Sequence, residues 1–387
     1  MEFFTKIDIP MPDFSLDYGT PVAFFGSCFA DSISAQFSAR KFQVLANPFG
    51  TVYNPLSIAR QIKAIAEGKV FTEEDVFQDD RESLSASAAD AGTAGGETCG
   101  LWHCWDAHGS LSGKTREECI DKLNAAAAKA REFLQQADVV FVTLGTAFVY
   151  FLKDGSSTAG KIGGRVVANC HRQDPKMFER RMISVDEAAE ALSSIVKDLH
   201  SLSPAANIVF TVSPLRHMAD GAHQNSLSKA TLMLAVEKVV KRRTEIATSP
   251  SAPRNDIASR ASAGVYSRIC ETQQSCASRN DNTHYFPSYE IVMDELRDYR
   301  FYADDTIHLS KTAEEYIFER MVETYCSEAT RTDIAHVEKF LKMANHRIVD
   351  ATSPATAEFV KKVRREADLL EAEIPGLFLD TNKSEYT

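Results

Sequence analysis

Residues 24–31 have the sequence FFGSCFAD, which places two nucleophilic side chains, Ser27 and Cys28, directly after Gly26. The segment follows the apolar residues Pro21-Val22-Ala23, so the sequence predicts a strand that ends in a glycine and turns straight into a helix. The first amides of a helix lack partners within the helix and can stabilise an oxyanion, and the helix dipole favours a thiolate there. Ser27 and Cys28 are therefore candidate nucleophiles for acyl transfer.

A second motif lies far downstream, where Asp305 and His308 are three residues apart. On one turn of helix or in a tight loop, two such side chains can face the same way. The aspartate then holds the imidazole in one tautomer, and the other ring nitrogen can take a proton from a nucleophile. The two motifs together predict a nucleophile-His-Asp triad.

Each motif also has a purely structural explanation. Ser27 can cap the helix, and Cys28 can be a small core side chain, because free cysteine is among the most buried residue types. Asp305 and His308 can form a surface pair, although the apolar residues on both sides of them favour a partly covered position. The local sequence leaves these alternatives open.

Apolar strands alternate with helices along the chain. We predict strands over 22–26, 43–46, 139–144 and 207–212. We predict helices over about 30–41, 115–136, 185–202, 227–243 and 312–327, and one more after Asn54-Pro55, where an asparagine cap precedes a proline. This alternation predicts an α/β fold, with a parallel sheet and helices on both faces.

Polar or glycine-containing turns follow all four predicted strands. They are Gly26-Ser27-Cys28, residues 47–50, Gly145-Thr146 and Ser213-Pro214. Ligands of open parallel sheets bind beyond the carboxyl ends of the strands. The sequence therefore predicts one site at this edge of the sheet.

The composition excludes several classes of function. The chain has 387 residues, a net charge of -11 and no stripe of Lys and Arg, so nucleic acid is not an expected partner. No run approaches the ~18 apolar residues that a membrane span needs, and the N-terminal residues do not resemble an export signal. We expect a cytoplasmic protein that does not bind a membrane.

The eight cysteines do not form a recognisable framework. No C-x-x-C pair occurs, and export, which would favour disulfides, is not indicated. Cys99 and Cys104 lie near His103 and His108, but the spacings typical of a zinc site are absent. We predict no metal and no cofactor.

Two polar stretches, 79–100 and 246–282, are rich in small residues and resemble insertions. They would interrupt a main domain over 1–327. The segment from about 330 to 373 is charged and helical in pattern. It predicts a C-terminal helical extension and tail over 328–387.

Several of these segments resemble a known family. Gly26-Ser27-Cys28-Phe29-Ala30 is the signature after which the GSCFA family is named, and that family is placed in the SGNH hydrolase superfamily. Further segments similar to the family follow in order at 47–55, 144–147, 167–171, 212–217 and 285–290. The resemblance covers about residues 20–325 and is weakest in the two polar insertions.

The resemblance implies a flavodoxin-like three-layer sandwich around a mostly parallel five-stranded sheet, and hydrolysis of an ester or related acyl bond without a metal. Asp305 and His308 match the final Asp-x-x-His block of the superfamily. The first block, Gly-Asp-Ser, aligns without gaps so that Ser27 replaces the aspartate and Cys28 replaces the nucleophilic serine. This register favours Cys28 as the nucleophile, whereas the more usual serine chemistry favours Ser27.

The resemblance also implies where an oxyanion would bind. Gly50 matches the oxyanion glycine of the second block, and the third block, Gly-x-Asn-Asp, falls on residues 145–148, where its asparagine is missing. Losing one oxyanion donor typically costs about 10²–10³ in rate, so an efficient enzyme needs a replacement. The candidates for this role are Asn47, Asn54, Thr146 and Asn169, and Gly145 belongs to the same edge.

Three other residues are candidates for substrate contacts. Arg216 and His217 follow a strand end, and His171 lies in a loop after Asn169. A structural ion pair or hydrogen bond is the alternative role for each of them.

The predicted function is a metal-independent hydrolase of an acylated small molecule, for which a sugar ester is one class. The first alternative is an acyltransferase with a thiol nucleophile, which passes the acyl group to a sugar or amine. The second is a binding module on the same fold that has lost catalysis, and the missing third-block asparagine motivates it.

Overall fold

The structure is a computed structural model. It describes residues 5–79, 100–153, 164–248, 282–346 and 353–379, with the backbone alone for 241–248. Most of the two predicted insertions, at 80–99 and 249–281, lies outside the described residues.

Ten strands are present in the described part of the chain. They are β1 (Val22–Gly26), β2 (Val44–Ala46), β3 (Val76–Gln78), β4 (Trp102–Cys104), β5 (Val139–Leu144), β6 (Phe148–Leu152), β7 (Val166–Val167), β8 (Phe178–Met182), β9 (Asn207–Val212) and β10 (Thr283–Tyr285). Five of them form one parallel sheet in the order β2-β1-β5-β9-β10. Counted along the chain, this is the 2-1-3-4-5 order of flavodoxin-like folds, in which the order reverses between β1 and β5. The predicted fold class is confirmed.

Nine α-helices are seen in the same residues. They are α1 (Cys28–Ala39), α2 (Pro55–Ala66), α3 (Arg116–Leu134), α4 (Val185–Leu202), α5 (Ala222–Thr248), the short α6 (Ser288–Glu290), α7 (Lys311–Tyr325), α8 (Glu328–Ala344) and α9 (Pro354–Glu373). A π-helix, Ile291–Glu295, continues α6. Short 3₁₀ turns occupy Glu73–Asp75, Gly109–Leu111, Pro175–Met177, Met218–Asp220 and Tyr299–Phe301.

Local sequence signals explain where the helices begin. Asn54 accepts a hydrogen bond from Ser57 N–H at the start of α2, as predicted for a cap followed by proline. Ser184 and Glu187 form a reciprocal capping box at the start of α4. Helix α5 begins at Ala222, five residues before its predicted start.

The sheet is buried on both faces. Alternate side chains of β1, such as Ala23 and Phe25, join a core with α2, α3, α4 and α5. The intervening side chains, such as Val22 and Phe24, join a second core with α1, α7, α8 and α9. Because neither face of the central strands meets water, they appear in the sequence as continuous apolar runs, which made them easy to predict.

The C-terminal helices pack against this second face. Arg40, at the end of α1, forms ion pairs with Glu315 of α7 and Glu338 of α8, and its guanidinium lies 4.1 Å from the centre of the Phe318 ring. Val337 of α8 and Val363 of α9 belong to the same core as α1. The segment beyond residue 327 therefore covers the sheet on the side opposite α2 to α5.

Smaller elements that the sequence analysis did not predict lie outside the main sheet. Strands β3 and β4 pair with each other, and β7, β6 and β8 form an antiparallel sheet after β5. The edge strand β10, Thr283–Tyr285, was also missed, because its residues Thr-His-Tyr do not form an apolar run as those of the equally short β2 do. None of the helices in the described residues combines the length and the apolar character that crossing a membrane requires.

Gly26 is the residue on which the turn from β1 to α1 depends. Its φ is +126°, and a Cβ added to it would lie 2.0 Å from the carbonyl oxygen of Thr143 in β5. We expect Gly26→Ala to lower the free energy of unfolding by about 3 kcal/mol or more, because neighbouring backbone cannot yield as a flexible side chain can. Urea unfolding of the purified variant measures this change.

Gly164→Ala is the control for that experiment. Gly164 also has a positive φ, +76°, but no atom of the described residues lies within 4 Å of the position of an added Cβ. We therefore expect Gly164→Ala to lower the free energy of unfolding by the backbone strain alone, which is about 1–2 kcal/mol. Equal losses in the two variants would show that the close approach to β5 does not matter.

Candidate active site

The β1-α1 turn presents Cys28 and hides Ser27. Ser27 is at the N-cap position of α1 with 1% of its surface exposed, and Cys28 is the first helical residue and is half-buried. Ser27 N–H donates to Thr143 O over 3.2 Å, and Val52 N–H donates to Gly26 O over 3.0 Å. The turn is thus fixed by β5 on one side and by the loop after β2 on the other.

The hydroxyl of Ser27 is buried and has no hydrogen-bond partner among the described residues. It does not bond to the first amides of α1, although a serine at this position commonly does. The expectation that Ser27 caps the helix through its side chain is therefore wrong. The amides of Cys28 and Phe29 lie instead close to the Cys28 sulfur, where they lower the pKa of its thiol.

Opposing influences act on that thiol. Burial raises the pKa of Cys28 above its ordinary value, and the nearby carboxylate of Asp31 raises it further. The amides of Phe29 and Cys28 and the positive charge of Lys229 lower it. Since the raising influences dominate, a base has to take the proton before Cys28 can act as a nucleophile at neutral pH.

Asp31 belongs to a hydrogen-bonded cluster beneath the turn. Its two carboxylate oxygens accept from Asn47 Nδ2 and from Thr51 Oγ1, each over 2.7 Å. Asn47 Oδ1 in turn accepts from Gly26 N–H over 2.8 Å. Asn47 thus joins the strand end to the helix, and the structure gives it a positioning role.

The amide of Gly50, expected to bind an oxyanion, is already engaged, because it donates to Asn47 O over 2.7 Å. Gly50 has a φ of +78°, and a Cβ there would lie 2.3 Å from the Cβ of His108. The glycine is explained by this turn and by close packing. As the structure stands, Gly50 offers no free donor to a substrate.

The backbone amides of the residues after β5 also donate hydrogen bonds within the protein. The amides of Gly145 and Thr146 both donate to Tyr53 O, over 2.7 and 2.9 Å. The Thr146 hydroxyl lies 3.1 Å from Ser228 Oγ and accepts from Phe148 N–H. Of the candidates to replace the missing asparagine, Thr146 therefore has a structural role, as does Asn54, the cap of α2.

Lys229 is the residue of this site that the sequence analysis missed. Its side chain is fully buried, and its Nζ donates to Gly145 O over 2.6 Å and to Ser213 O over 2.7 Å. Burial lowers the pKa of Lys229 to about 7, and the nearby Cys28 opposes that shift. In the described part of the chain it forms no ion pair, so the ammonium is held mainly by carbonyls at the ends of β5 and β9.

A signal for Lys229 was present in the sequence. Asn225, Lys229, Leu232 and Val236 recur at the spacing of one helical face, and all four are buried in α5. A lysine on an otherwise buried stripe is rare unless it has a partner. The rest of α5 is less regular in hydrophobicity, which is why this stripe was not recognised.

His217 lies within electrostatic range of both Lys229 and His308. Its N–H donates to Asn225 Oδ1 over 3.0 Å, and its ring meets the Tyr53 ring edge-on at 5.5 Å. Burial lowers the pKa of His217 to about 4, and the charges of Lys229 and His308 act in the same direction. His217 is therefore neutral at pH 7 and within electrostatic range of both groups.

Asp305 holds His308 as the Asp-x-x-His spacing predicted. His308 Nδ1 lies 2.5 Å from Asp305 Oδ2, and Asp305 Oδ1 accepts from the amides of Ile307 and His308, each over 2.9 Å. The intervening Thr306 has a φ of +60°, which allows the tight loop. The hydrogen bond from His308 and the two amides lower the pKa of Asp305 to about 2. The carboxylate is ionised and leaves Nε2 of the imidazole for other partners.

The family model for the GSCFA family matches residues 21–251 and 260–321. The chain belongs to the GSCFA family. The matched residues include the β1-α1 turn and the Asp305-His308 loop, so every predicted catalytic residue lies within the family domain. No curated protein matches the chain.

A second cluster in this GSCFA family member contains His171. His171 Nε2 lies 2.8 Å from Cys104 O, and its ring centre is 4.4 Å from that of His103. Burial lowers the pKa of His171 to about 4. Asn169 Oδ1 accepts from His171 N–H, so these two predicted substrate residues are built into this cluster with Trp105, which is buried and stacks on Phe77.

Arg216 lines a cavity of about 450 Å³ together with Thr306 and Ile307 of the Asp305-His308 loop. It is exposed, unlike His217 beside it. Among the described residues, no group of three or more His, Cys, Asp and Glu side chains is arranged to hold a metal ion. Cys99, one of the weak metal candidates, lies outside those residues.

The pH dependence of Cys28 alkylation tests the electrostatics of the site. We expect the rate with iodoacetamide to reach half of its maximum above pH 9, since the pKa of the thiol is raised from 9.0. Asp31→Asn should move this midpoint to lower pH by removing a negative charge. Lys229→Met should leave it unchanged, because the pKa of Lys229 is lowered to about 7 and its amine is already neutral at that pH. Peptide mapping after timed labelling gives the rate at each pH.

Cys170 supplies the internal control, because its thiol is also half-buried and its pKa is raised by burial to about 11. Its labelling profile should be the same in all three proteins. Circular dichroism confirms that each variant is folded. A shift of the midpoint in Lys229→Met, or no shift in Asp31→Asn, would contradict these electrostatic roles of Lys229 and Asp31.

Proposed function

We propose that this protein is an SGNH-like acyl hydrolase in which Cys28 is the nucleophile, His308 the general base and Asp305 the residue that orients His308. The observation that carries the proposal is the difference in exposure between these two neighbouring residues. Only 1% of the Ser27 surface is exposed, whereas Cys28 is half-buried at the first position of a helix, at the edge of the sheet. The turn lies where the strand order reverses, which is where open α/β sheets bind ligands.

In the proposed reaction, the Cys28 sulfur attacks the acyl carbonyl while His308 Nε2 takes the thiol proton. Asp305 keeps the Nδ1 proton of His308 in place and stabilises the imidazolium. His308 then gives its proton to the leaving oxygen as the carbon-oxygen bond breaks, which leaves a thioester on Cys28. A water molecule, deprotonated by His308, hydrolyses the thioester and restores the thiol.

The oxyanion of each tetrahedral intermediate would be held by groups at the β1-α1 turn. The amides of Cys28 and Phe29 already lie at the sulfur and belong to the open end of a helix. Lys229 adds a buried positive charge, and two of its three N–H groups are used by Gly145 and Ser213. This charge supplies the electrostatic stabilisation that the missing third-block asparagine would otherwise give.

Cys28 and His308 are not hydrogen-bonded to each other in the described part of the chain. His308 is 58% exposed on a loop, whereas Cys28 is fixed at a helix start. Catalytic hydrogen bonds are often long in unliganded proteins and shorten when substrate binds. The proposal therefore requires the substrate, seated between the loop and α1, to complete the pair.

Two alternatives have specific support. A thioester on Cys28 can pass its acyl group to an alcohol or amine instead of water, which would make the protein an acyltransferase. The raised pKa of Cys28 and the engaged amide of Gly50 favour a binding module without turnover. The substrate remains an acylated small molecule in all three cases.

Covalent trapping tests the proposed nucleophile. We incubate the protein with a panel of aryl esters and thioesters, quench in acid and measure intact mass. We expect one acyl adduct on Cys28 that is absent in Cys28→Ala and retained in Ser27→Ala, whose hydroxyl has no partner to lose. His308→Ala should slow turnover by about 10²–10⁴, as removal of a general base typically does.

Cys170→Ala is the matched control, since it removes another half-buried thiol that lies outside the β1-α1 turn. It should leave both the adduct and the turnover unchanged. An adduct on Ser27, or turnover that survives Cys28→Ala, would rule out the thiol mechanism. Addition of an alcohol or amine acceptor separates hydrolysis from acyl transfer by the product formed.

A further inference from the structure

The cavity beside the Asp305-His308 loop has the size of a small-molecule site. Its volume is about 450 Å³, which is within the range of ligand pockets in proteins. Three segments line it: the residues after β9, the π-helix with the loop that follows it, and the Asp305-His308 loop itself. Such π-helices are frequent at functional sites.

The cavity abuts the proposed base. Ile307, which lines it, donates its amide to the same oxygen of Asp305 that accepts the amide of His308. A molecule in the cavity would therefore lie beside the loop that holds the imidazole.

Polar and apolar surface contribute equally to the wall. Val292 and Leu296 are buried side chains of the lining, whereas Met218 and Tyr299 are exposed at 44% and 79%. Large apolar side chains exposed around a cavity are typical of a binding site. The wall is suited to an alkyl or aromatic body.

One positive charge in this wall has no acidic partner among the residues that the structure describes. Arg297 pairs with Asp294 over 2.7 Å, and Asp298 pairs with Arg300 over 2.9 Å, so these charges are matched. Arg216 forms no ion pair among the described residues. Its Nη2 lies 3.6 Å from the sulfur of Met293, and its charge acts on the hydroxyl of Tyr302, so the guanidinium is at the cavity wall.

We infer that this cavity is the substrate subsite for an anionic group, a carboxylate or a phosphate, carried by a molecule with an apolar body. Arg216 binds the anion, since a guanidinium can make two parallel hydrogen bonds to either group. The role of this molecule as an acyl substrate rests on the proposed function, but its binding does not. The inference thus narrows the substrate class to anionic acyl compounds.

Binding of matched probes tests the subsite without any turnover. We titrate the Cys28→Ala protein calorimetrically with 3-phenylpropionate, with 2-phenylethyl phosphate and with the neutral 3-phenylpropionamide. We expect at least one anion to bind about tenfold more tightly than the amide, as a charged hydrogen bond to an exposed arginine allows. Arg216→Gln should remove this preference, and Arg216→Lys should restore part of it.

Lys311→Gln is the control, because it removes an exposed charge at the start of α7 that does not line the cavity. It should keep the preference for the anion. Equal affinities for the anions and the amide, no binding of any probe, or the same loss in Lys311→Gln would overturn the inference. The difference between the two anions shows which group the site prefers.

The two proposals fail in different experiments. If anions bind through Arg216 but the wild-type protein never forms an acyl adduct, the subsite stands and the hydrolase proposal falls. If neutral and anionic esters are turned over equally, the hydrolase proposal stands and the subsite falls.

Discussion

The whole site depends on one close approach between neighbouring strands. At Gly26 the chain passes so near the carbonyl of Thr143 that no side chain fits, and the same residue has a φ that other amino acids rarely adopt. This contact lets β1 end against β5 and lets α1 begin two residues later. The amide of Gly26 is held by Asn47 and its carbonyl by Val52, so the position of Cys28 follows from the pairing of buried strands.

The second constraint is electrostatic. A fully buried ammonium costs several kcal/mol to desolvate, and Lys229 offsets this with two short hydrogen bonds to carbonyls at the strand ends. Asp31 on α1 carries the opposite charge and is stabilised by Asn47 and Thr51. Cys28 lies under the influence of both groups, so small changes in their environment would alter its reactivity. A buried lysine without a carboxylate partner in the described part of the chain is more easily understood as part of a site than as a contribution to stability.

The two halves of the proposed triad differ in rigidity. Cys28 is fixed by the sheet and by α1, whereas Asp305 and His308 are exposed on a loop that is ordered by its own hydrogen bonds. The cavity with Arg216 adjoins that loop. A ligand that fills the cavity would therefore contact the loop that carries His308.

The sequence alone determined the α/β class, four of the five strands of the main sheet and the two motifs, because these depend on local patterns. Strands buried on both faces are continuous apolar runs, and the Asp305-x-x-His308 spacing brings its two side chains together within one loop. The sequence did not decide whether Ser27 or Cys28 is the candidate nucleophile, because local patterns do not show which of two neighbouring side chains is exposed. Tertiary structure decided that exposure, and it also decided that the amides of Gly50, Gly145 and Thr146 are engaged.

The position of Lys229 and the cavity at Arg216 could not be predicted from the sequence either. Lys229 is more than 80 residues from Gly145, and only the packing of α5 against the strand ends brings the two together. The cavity is formed by segments near residues 216, 293 and 306, whose proximity results from the order of strands in the sheet. Contacts between distant segments depend on how the helices and the sheet pack together, and no local pattern of residues predicts that packing.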